Sequence, residues 1–291
     1  MVPLDDFEHC PAPAKINLFL HVTGRRDDGY HLLQTAFRMI DRGDSLSFAR
    51  RDDARIERAN DVPGVPAEAD LVVRAARLLQ ARTGCGLGAT IRVDKRLPMG
   101  GGLGGGSSDA ATTLLALNRL WGLDCTRAEL QEWALALGAD VPFFIFGETA
   151  WAEGVGETLR PLALPAAHYV VVEPPVSVPT AEIFRQKELT RDTSVLIMPG
   201  FAAAQTQAFL EQRGRNDLQA VACRLYPQVQ GAIDALGRFG TARMSGSGAC
   251  VFLACANEKQ ASAVVDALQD EWKAWHAPAL DRHPMHAWAK N

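Results

Sequence analysis

The chain has 291 residues, 47% of them hydrophobic, and a formal net charge of −4 with both signs interspersed. At roughly 150 residues per domain that allows one large or two medium domains with a sizeable core. The weak mixed charge argues against a nucleic-acid or anionic-membrane surface, and no uncharged run approaches the roughly 18 residues of a membrane span. Residues 1–10 hold Asp5, Asp6 and Glu8 and no apolar core, unlike a signal peptide. The six cysteines, at 10, 85, 125, 223, 250 and 255, form no C-x-x-C pair, so a reduced, cytoplasmic protein without a zinc site is expected.

Ala14 to Val22 alternates as a strand. Ile16, Leu18, Leu20 and Val22 take one face, and Lys15, Asn17, Phe19 and His21 the other. That second face suits the floor of a polar pocket, although spacing alone favours a solvated outer face. Gly24, Asp28 and Gly29 mark turns around Arg25, Arg26, Tyr30 and His31. Residues 33–40 and 45–50 read as two strands of a meander, 51–67 as a surface loop, and 69–82 as a helix. Residues 89–94 alternate as another strand.

Next comes Pro98-Met99-Gly100-Gly101-Gly102-Leu103-Gly104-Gly105-Gly106-Ser107-Ser108-Asp109, the most biased stretch in the chain. Glycine is entropically costly, and is tolerated where bare backbone must bend or approach something closely. Ala110, Leu114, Leu117 and Trp121 then mark one apolar helix face, with Ser107 or Ser108 as the expected N-cap. Strand, glycine loop and helix N-terminus in that order aim backbone N–H groups and the positive helix end at one spot, which suits phosphate. The loop is no Walker A motif, because no Lys-Ser or Lys-Thr pair closes it. Gly100, Gly102 and Gly105 do spell the dinucleotide pattern G-x-G-x-x-G, with Asp124 downstream, but a long helix fills the interval where a second strand belongs. A flexible linker is the blander reading, and a capped amphipathic helix following at once speaks against it.

Thr126-Arg127-Ala128-Glu129 is a capping box, and the helix it opens stops at Gly138. Asp140 is the only charge between Glu132 and Glu148. It is either a turn acid or a functional carboxylate that needs a nearby cation, for which Lys15 is the natural partner. Glycines and prolines crowd 147–165, so a boundary is expected near 160, dividing the chain into 1–160 and 161–291. Beyond it come a strand over 168–173, a short helix capped by Thr180, a loop over 190–200 and a helix capped by Asn216 or Asp217. A tight Ser245-Gly246-Ser247-Gly248 turn between strands and a last helix follow. This alternation suggests a split βαβ, ferredoxin-like lobe. The tail from His276, with His283, His286 and Trp288, has no interpretable pattern.

The glycine loop with its S-S-D-A-A ending resembles the phosphate loop of the galactokinase, homoserine kinase, mevalonate kinase and phosphomevalonate kinase (GHMP) superfamily. P-A-K-I-N-L-F-L-H-V-T-G-R-R-D-D-G-Y-H at 13–31, G-A-D-V-P-F-F at 138–144 and the segments 173–184, 216–218 and 244–249 agree with it. The wording is closest to the branch that acts on 4-diphosphocytidyl-2-C-methyl-D-erythritol. The resemblance implies an α+β, two-lobed kinase with an N-terminal lobe like the second domain of ribosomal protein S5, a ferredoxin-like C-terminal lobe and the active site between them. It implies ATP as phosphoryl donor, Mg²⁺ held mainly through the ATP phosphates, no protein metal site and a monomer or weak homodimer. Residues 98–108 would bind ATP, and Lys15 and Asp140 would be catalytic. Tyr30 and Phe184 would stack on cytosine, His31 would read its edge, and Asn17 and Thr180 would make polar contacts to the substrate. The family pattern has Asn where this chain has Asp70, which can accept from an adenine amino group but not donate. The rival readings are another GHMP kinase, of homoserine or mevalonate type, a nicotinamide dehydrogenase, or a non-catalytic nucleotide-binding module.

Overall fold

The computed structural model describes residues 7–197 and 202–291. Residues 1–6, which begin the stretch read as unlike a signal peptide, and the end of the 190–200 loop lie outside the described residues. The first half runs β1 (Phe7–Arg25), β2 (His31–Arg51), β3 (Ile56–Arg58), α1 (Leu71–Thr83), β4 (Gly88–Asp94), α2 (Gly105–Leu120), α3 (Arg127–Ala134), α4 (Val141–Phe146), β5 (Ala150–Glu153) and β6 (Thr158–Pro161). The second runs β7 (His168–Glu173), α5 (Thr180–Arg185), α6 (Ala203–Arg213), α7 (Gln219–Leu225), α8 (Pro227–Gly237), β8 (Arg243–Met244), β9 (Val251–Cys255), α9 (Glu258–Leu268) and β10 (Lys273–Leu280).

The two strands expected over 33–40 and 45–50 are one strand of 21 residues, β2. The polar Asp41-Arg42-Gly43-Asp44 step that looks like a turn is a bulge, where the pairing jumps from Pro13↔Gly43 to Ala14↔Ile40. A Cβ on Gly43 would fall 2.1 Å from Ala12 O, so only glycine lets β1 pass there. β2 also pairs with β4, β5 and β10, which makes it the spine of the molecule.

The second-half strands lie in the order β10-β7-β9-β8, all antiparallel, which is the ferredoxin-like arrangement. Because Ala279 and Leu280 of β10 pair with Ile40 and Met39 of β2, one sheet runs through both halves. Leu46, Phe48, Leu79, Leu114 and Phe143 lie in a first core between the sheet, α1, α2 and α4. Val170, Val172, Ile183, Val229 and Val251 lie in a second. A third, with Ile16, Phe19, Ile40, Trp151 and Tyr169, joins β1, β2, β5 and β7. The ends are exchanged across residue 160: Leu20 and Val22 belong to the second core, and Met285 and Ala289 to the first.

Candidate active site

β1 is buried from Ala12 to Val22 on both faces, because β2 flanks it and a core lies above and below. The solvated outer face that spacing alone favours therefore does not exist: Lys15 is 3% exposed, Asn17 2% and His21 1%. Lys15 Nζ donates to Asn17 Oδ1 (2.5 Å), stands 3.3 Å from Asp140 Oδ2 and lies 5.3 Å from the centre of the Phe37 ring. Asn17 is turned by its own donation to Thr35 Oγ1 at 3.0 Å, and Thr35 in turn donates to Phe19 O. Asp140 is the residue before α4. Its side chain makes no capping bond, Pro142 fills the first turn where a missing N–H costs nothing, and the helix behind it is buried. The carboxylate is thus free to face the ammonium from the edge of a cleft.

The glycine loop forms the adjacent wall. Its carbonyls point into the protein: Ala249 N donates to Gly100 O (3.2 Å), Cys250 N to Gly101 O (3.1 Å), Ser245 Oγ to Gly102 O (2.8 Å) and Lys15 N to Leu103 O (2.9 Å). With the carbonyls spent, no backbone N–H from Met99 to Ser107 donates to another described group. The Ser245–Cys250 segment, with Lys15 N, is thus a clamp on the loop's carbonyls that leaves these amides without a partner among the described residues. Gly102, at φ +72°, sits so close that a Cβ would lie 2.1 Å from Ser245 O. The helix starts earlier than its serines suggest: Gly104 in the left-handed region precedes α2, and Ser108 is buried with no partner for its Oγ.

The cleft holds about 1080 Å³, room for two ligands side by side. Val62, Val65, Leu71 and Val93 line it beside the phosphate loop, while Tyr30, His31, Thr180 and Phe184 line it elsewhere. Thr180 does not cap α5 with its side chain; its hydroxyl lies 2.7 Å from Ser247 Oγ, tying that helix to the clamp. His31 lies on Phe184 with centroids 4.7 Å apart and rings 28° from parallel, and Tyr30 is 64% exposed at the same cleft. Asp70 is occupied: it caps α1 through Val72 N and takes a 2.6 Å bond from Arg58.

Residues 70–148 match the family described as GHMP kinases N terminal domain, and residues 200–274 the one described as GHMP kinases C terminal. A relative from Aromatoleum aromaticum, named 4-diphosphocytidyl-2-C-methyl-D-erythritol kinase, is 63% identical over 96% of this chain and 95% of its own. The chain belongs to the GHMP kinases. A relative of the same name from an Azoarcus species is 62% identical over 95% of both chains. A crystal structure of 4-(cytidine 5'-diphospho)-2C-methyl-D-erythritol kinase superposes with a TM-score of 0.75 at 34% identity, over 94% of this chain and 99% of that one. A mevalonate kinase from L. major, at 15% identity and a TM-score of 0.65, shares the fold.

Several groups in the cleft of this GHMP kinase escape a sequence reading. Lys95 donates to Asp109 Oδ2 (2.7 Å) and to Asp44, which also accepts from Arg96 N and Leu97 N. Burial pushes Asp109 up to about 7 against the pull of Lys95, and its second oxygen has no partner. Arg191 donates to His31 from 160 positions away. Charged residues that a period-two or period-3.6 pattern leaves unexplained are the only signal for such groups, and it does not pair them. Among the described residues no group of three or more His, Cys, Asp or Glu is placed to hold a metal ion, and no helix is long and apolar enough to cross a membrane.

Proposed function

We propose that this GHMP kinase transfers the γ-phosphoryl group of ATP to the 2-hydroxyl of 4-diphosphocytidyl-2-C-methyl-D-erythritol, giving the 2-phosphate and ADP. The product belongs to the non-mevalonate route to isoprenoid precursors. The observation that carries this reading is the Lys15–Asp140 pair at 3.3 Å in the same cleft as a glycine loop whose amides have no partner among the described residues.

Phosphoryl transfer requires positioning and charge neutralisation more than covalent help. The amides from Met99 to Ser107, at the N-terminus of α2, cradle the ATP phosphates. Mg²⁺ would be held mainly through the ATP phosphates, whose charge it would neutralise. Asp140 accepts the proton of the substrate hydroxyl. Lys15, held by Asn17, orients Asp140 and steadies negative charge on the transferring group. Asp140 both aligns the hydroxyl for in-line attack and takes its proton late in a loose transition state. Phe184, His31 and Tyr30 receive the cytosine, and Thr180 contacts the remainder of the substrate. The apolar group of Val62, Val65, Leu71 and Val93 takes the adenine.

Transfer of labelled γ-phosphate decides it. The diphosphocytidyl substrate is expected to be phosphorylated, and homoserine, mevalonate and galactose are not. Faster transfer to any of the three controls overturns the assignment.

A further inference from the structure

We propose that Arg191 is a positioning residue that sets the base preference of the pocket by fixing the tautomer of His31. The inference rests on the reading above, that this part of the cleft takes a cytidine nucleotide.

Arg191 Nε donates to His31 Nε2 at 3.1 Å. A guanidinium has only donors, so the imidazole nitrogen facing it must offer a lone pair. A neutral imidazole carries one proton, and it is then on Nδ1. The guanidinium cannot swing away to relax this constraint. Its other nitrogens donate to Leu189 O (3.0 Å), Phe184 O (2.9 Å) and Gln186 O (2.8 Å), which anchors it to the segment that carries Phe184. The His31 ring is held against the Phe184 ring as well. A second proton on Nε2 would face Arg191 directly. Burial, then the charges of Arg191 and Arg25, lower the His31 pKa and keep the ring neutral.

Nδ1 has no partner among the described residues, and the ring lines the cleft. The pocket thus offers an N–H donor beside an aromatic face. Cytosine's pairing edge carries acceptors at N3 and O2 beside the N4 amino donor, and the Nδ1–H of His31 is placed at N3. Uracil carries a proton on N3. A donor meeting a donor leaves both unpaired, which is the costly outcome in a desolvated site. The opposite tautomer would put a lone pair on Nδ1 opposite N3, where uracil has a proton to give and cytosine has none. Arg191 therefore selects cytosine without touching it.

Two measurements on the full chain test this. In the unliganded wild type with ¹⁵N-histidine, long-range proton–nitrogen correlation is expected to show His31 with a protonated Nδ1 and a bare Nε2, the signals being assigned by their loss in His31→Gln. A proton on Nε2 overturns the proposal. The second is calorimetric binding of CDP and UDP to the wild type, Arg191→Lys and Arg191→Met. The wild type is expected to prefer CDP, and Arg191→Met to lose roughly ten- to a hundredfold of that preference, the range set by one unpaired donor. Arg191→Lys, still a donor, retains part of it, which a merely structural role for the guanidinium does not explain. A CDP/UDP ratio unchanged in Arg191→Met overturns the tautomer role. Failure of the wild type to bind either nucleotide overturns the cytidine pocket itself, and the inference falls with it. Should Arg191→Met not fold, the wild-type spectrum decides.

Discussion

Lys15 is a charge with 3% of its side chain exposed, and such a group persists only if paired. Its partners are Asp140 and the Asn17 carbonyl oxygen, and each also has a place in the proposed chemistry. Asp140→Asn keeps the shape and removes the proton acceptor. We expect kcat to fall by about 10²–10⁴-fold, the usual worth of a general base, with ATP affinity unchanged in calorimetry; near-normal turnover in Asp140→Ala would remove Asp140 from the mechanism. Phe184 backs the His31 ring, while Tyr30 stands exposed. Phe184→Ala should therefore raise KM for the cytidine substrate more than Tyr30→Ala does, by about 0.5–1.5 kcal/mol of lost stacking beyond area burial, and leave KM for ATP alone. Equal effects on both ligands would break the link to cytidine. Gly102→Ala drives a methyl group to 2.1 Å from the Ser245 carbonyl oxygen. Overpacking costs about 1–3 kcal/mol, and left-handed strain adds to it. ATP binding should be lost and the urea midpoint lowered.

At the scale of elements, α4 is six residues long, too short to hold itself together, yet it carries Asp140 at its start. Its far end is held by distant chain. Arg127, at the start of α3, donates to Ile145 O (2.6 Å), His286 O (2.6 Å), Ala289 O (3.1 Å) and Asn291 Oδ1 (3.0 Å). His283 N donates to Gly147 O, and Trp288 lies against Phe7 and Arg119. The tail without a readable pattern is thus a strap across the first half. Arg127→Met removes the donor from two buried carbonyls, those of Ile145 and Ala289, and should destabilise the protein by about 2–6 kcal/mol at about 1–3 per orphaned group, read as the loss in urea unfolding free energy. A change below 0.5 kcal/mol, the size of a bland surface substitution, would mean that the strap carries no weight.

Across the whole molecule, two buried titratable groups give stability opposing pH dependences. Burial, then His286 and Arg127, push His283 down from 6.5 to about 3. Between those values the unfolded chain binds a proton that the folded one does not, so stability is lost as pH falls through that window. Asp109 is pushed up from 3.8 to about 7, chiefly by burial. Between those values the folded chain holds the extra proton, so stability is lost as pH rises. Asp109→Asn should therefore gain on the wild type in urea unfolding as pH goes from 5 to 8, and His283→Asn should show a shallower decline below pH 6.5. Parallel profiles for variant and wild type would remove either group from the balance.

Contiguous features were legible in the sequence alone. The glycine loop and its helix, the Thr126–Glu129 capping box, the 168–173 strand and the Ser245–Gly248 turn are each written in one contiguous stretch, where local sterics and hydrogen bonding decide the conformation. Family-like segments spaced along both halves carried the kinase reading further than any single motif. Tertiary structure decided the rest. The burial of Lys15 depends on strands and cores on both of its sides, and period-two spacing cannot tell a buried polar face from a wet one. The bulge at Gly43 depends on the Ala12 backbone passing beside it, the hold on the loop's carbonyls on partners some 140 residues away, and the Arg191 bond to His31 on a guanidinium 160 positions along the chain. Charge pairing and donor direction act through space over a few ångströms, and only folding brings those distances about.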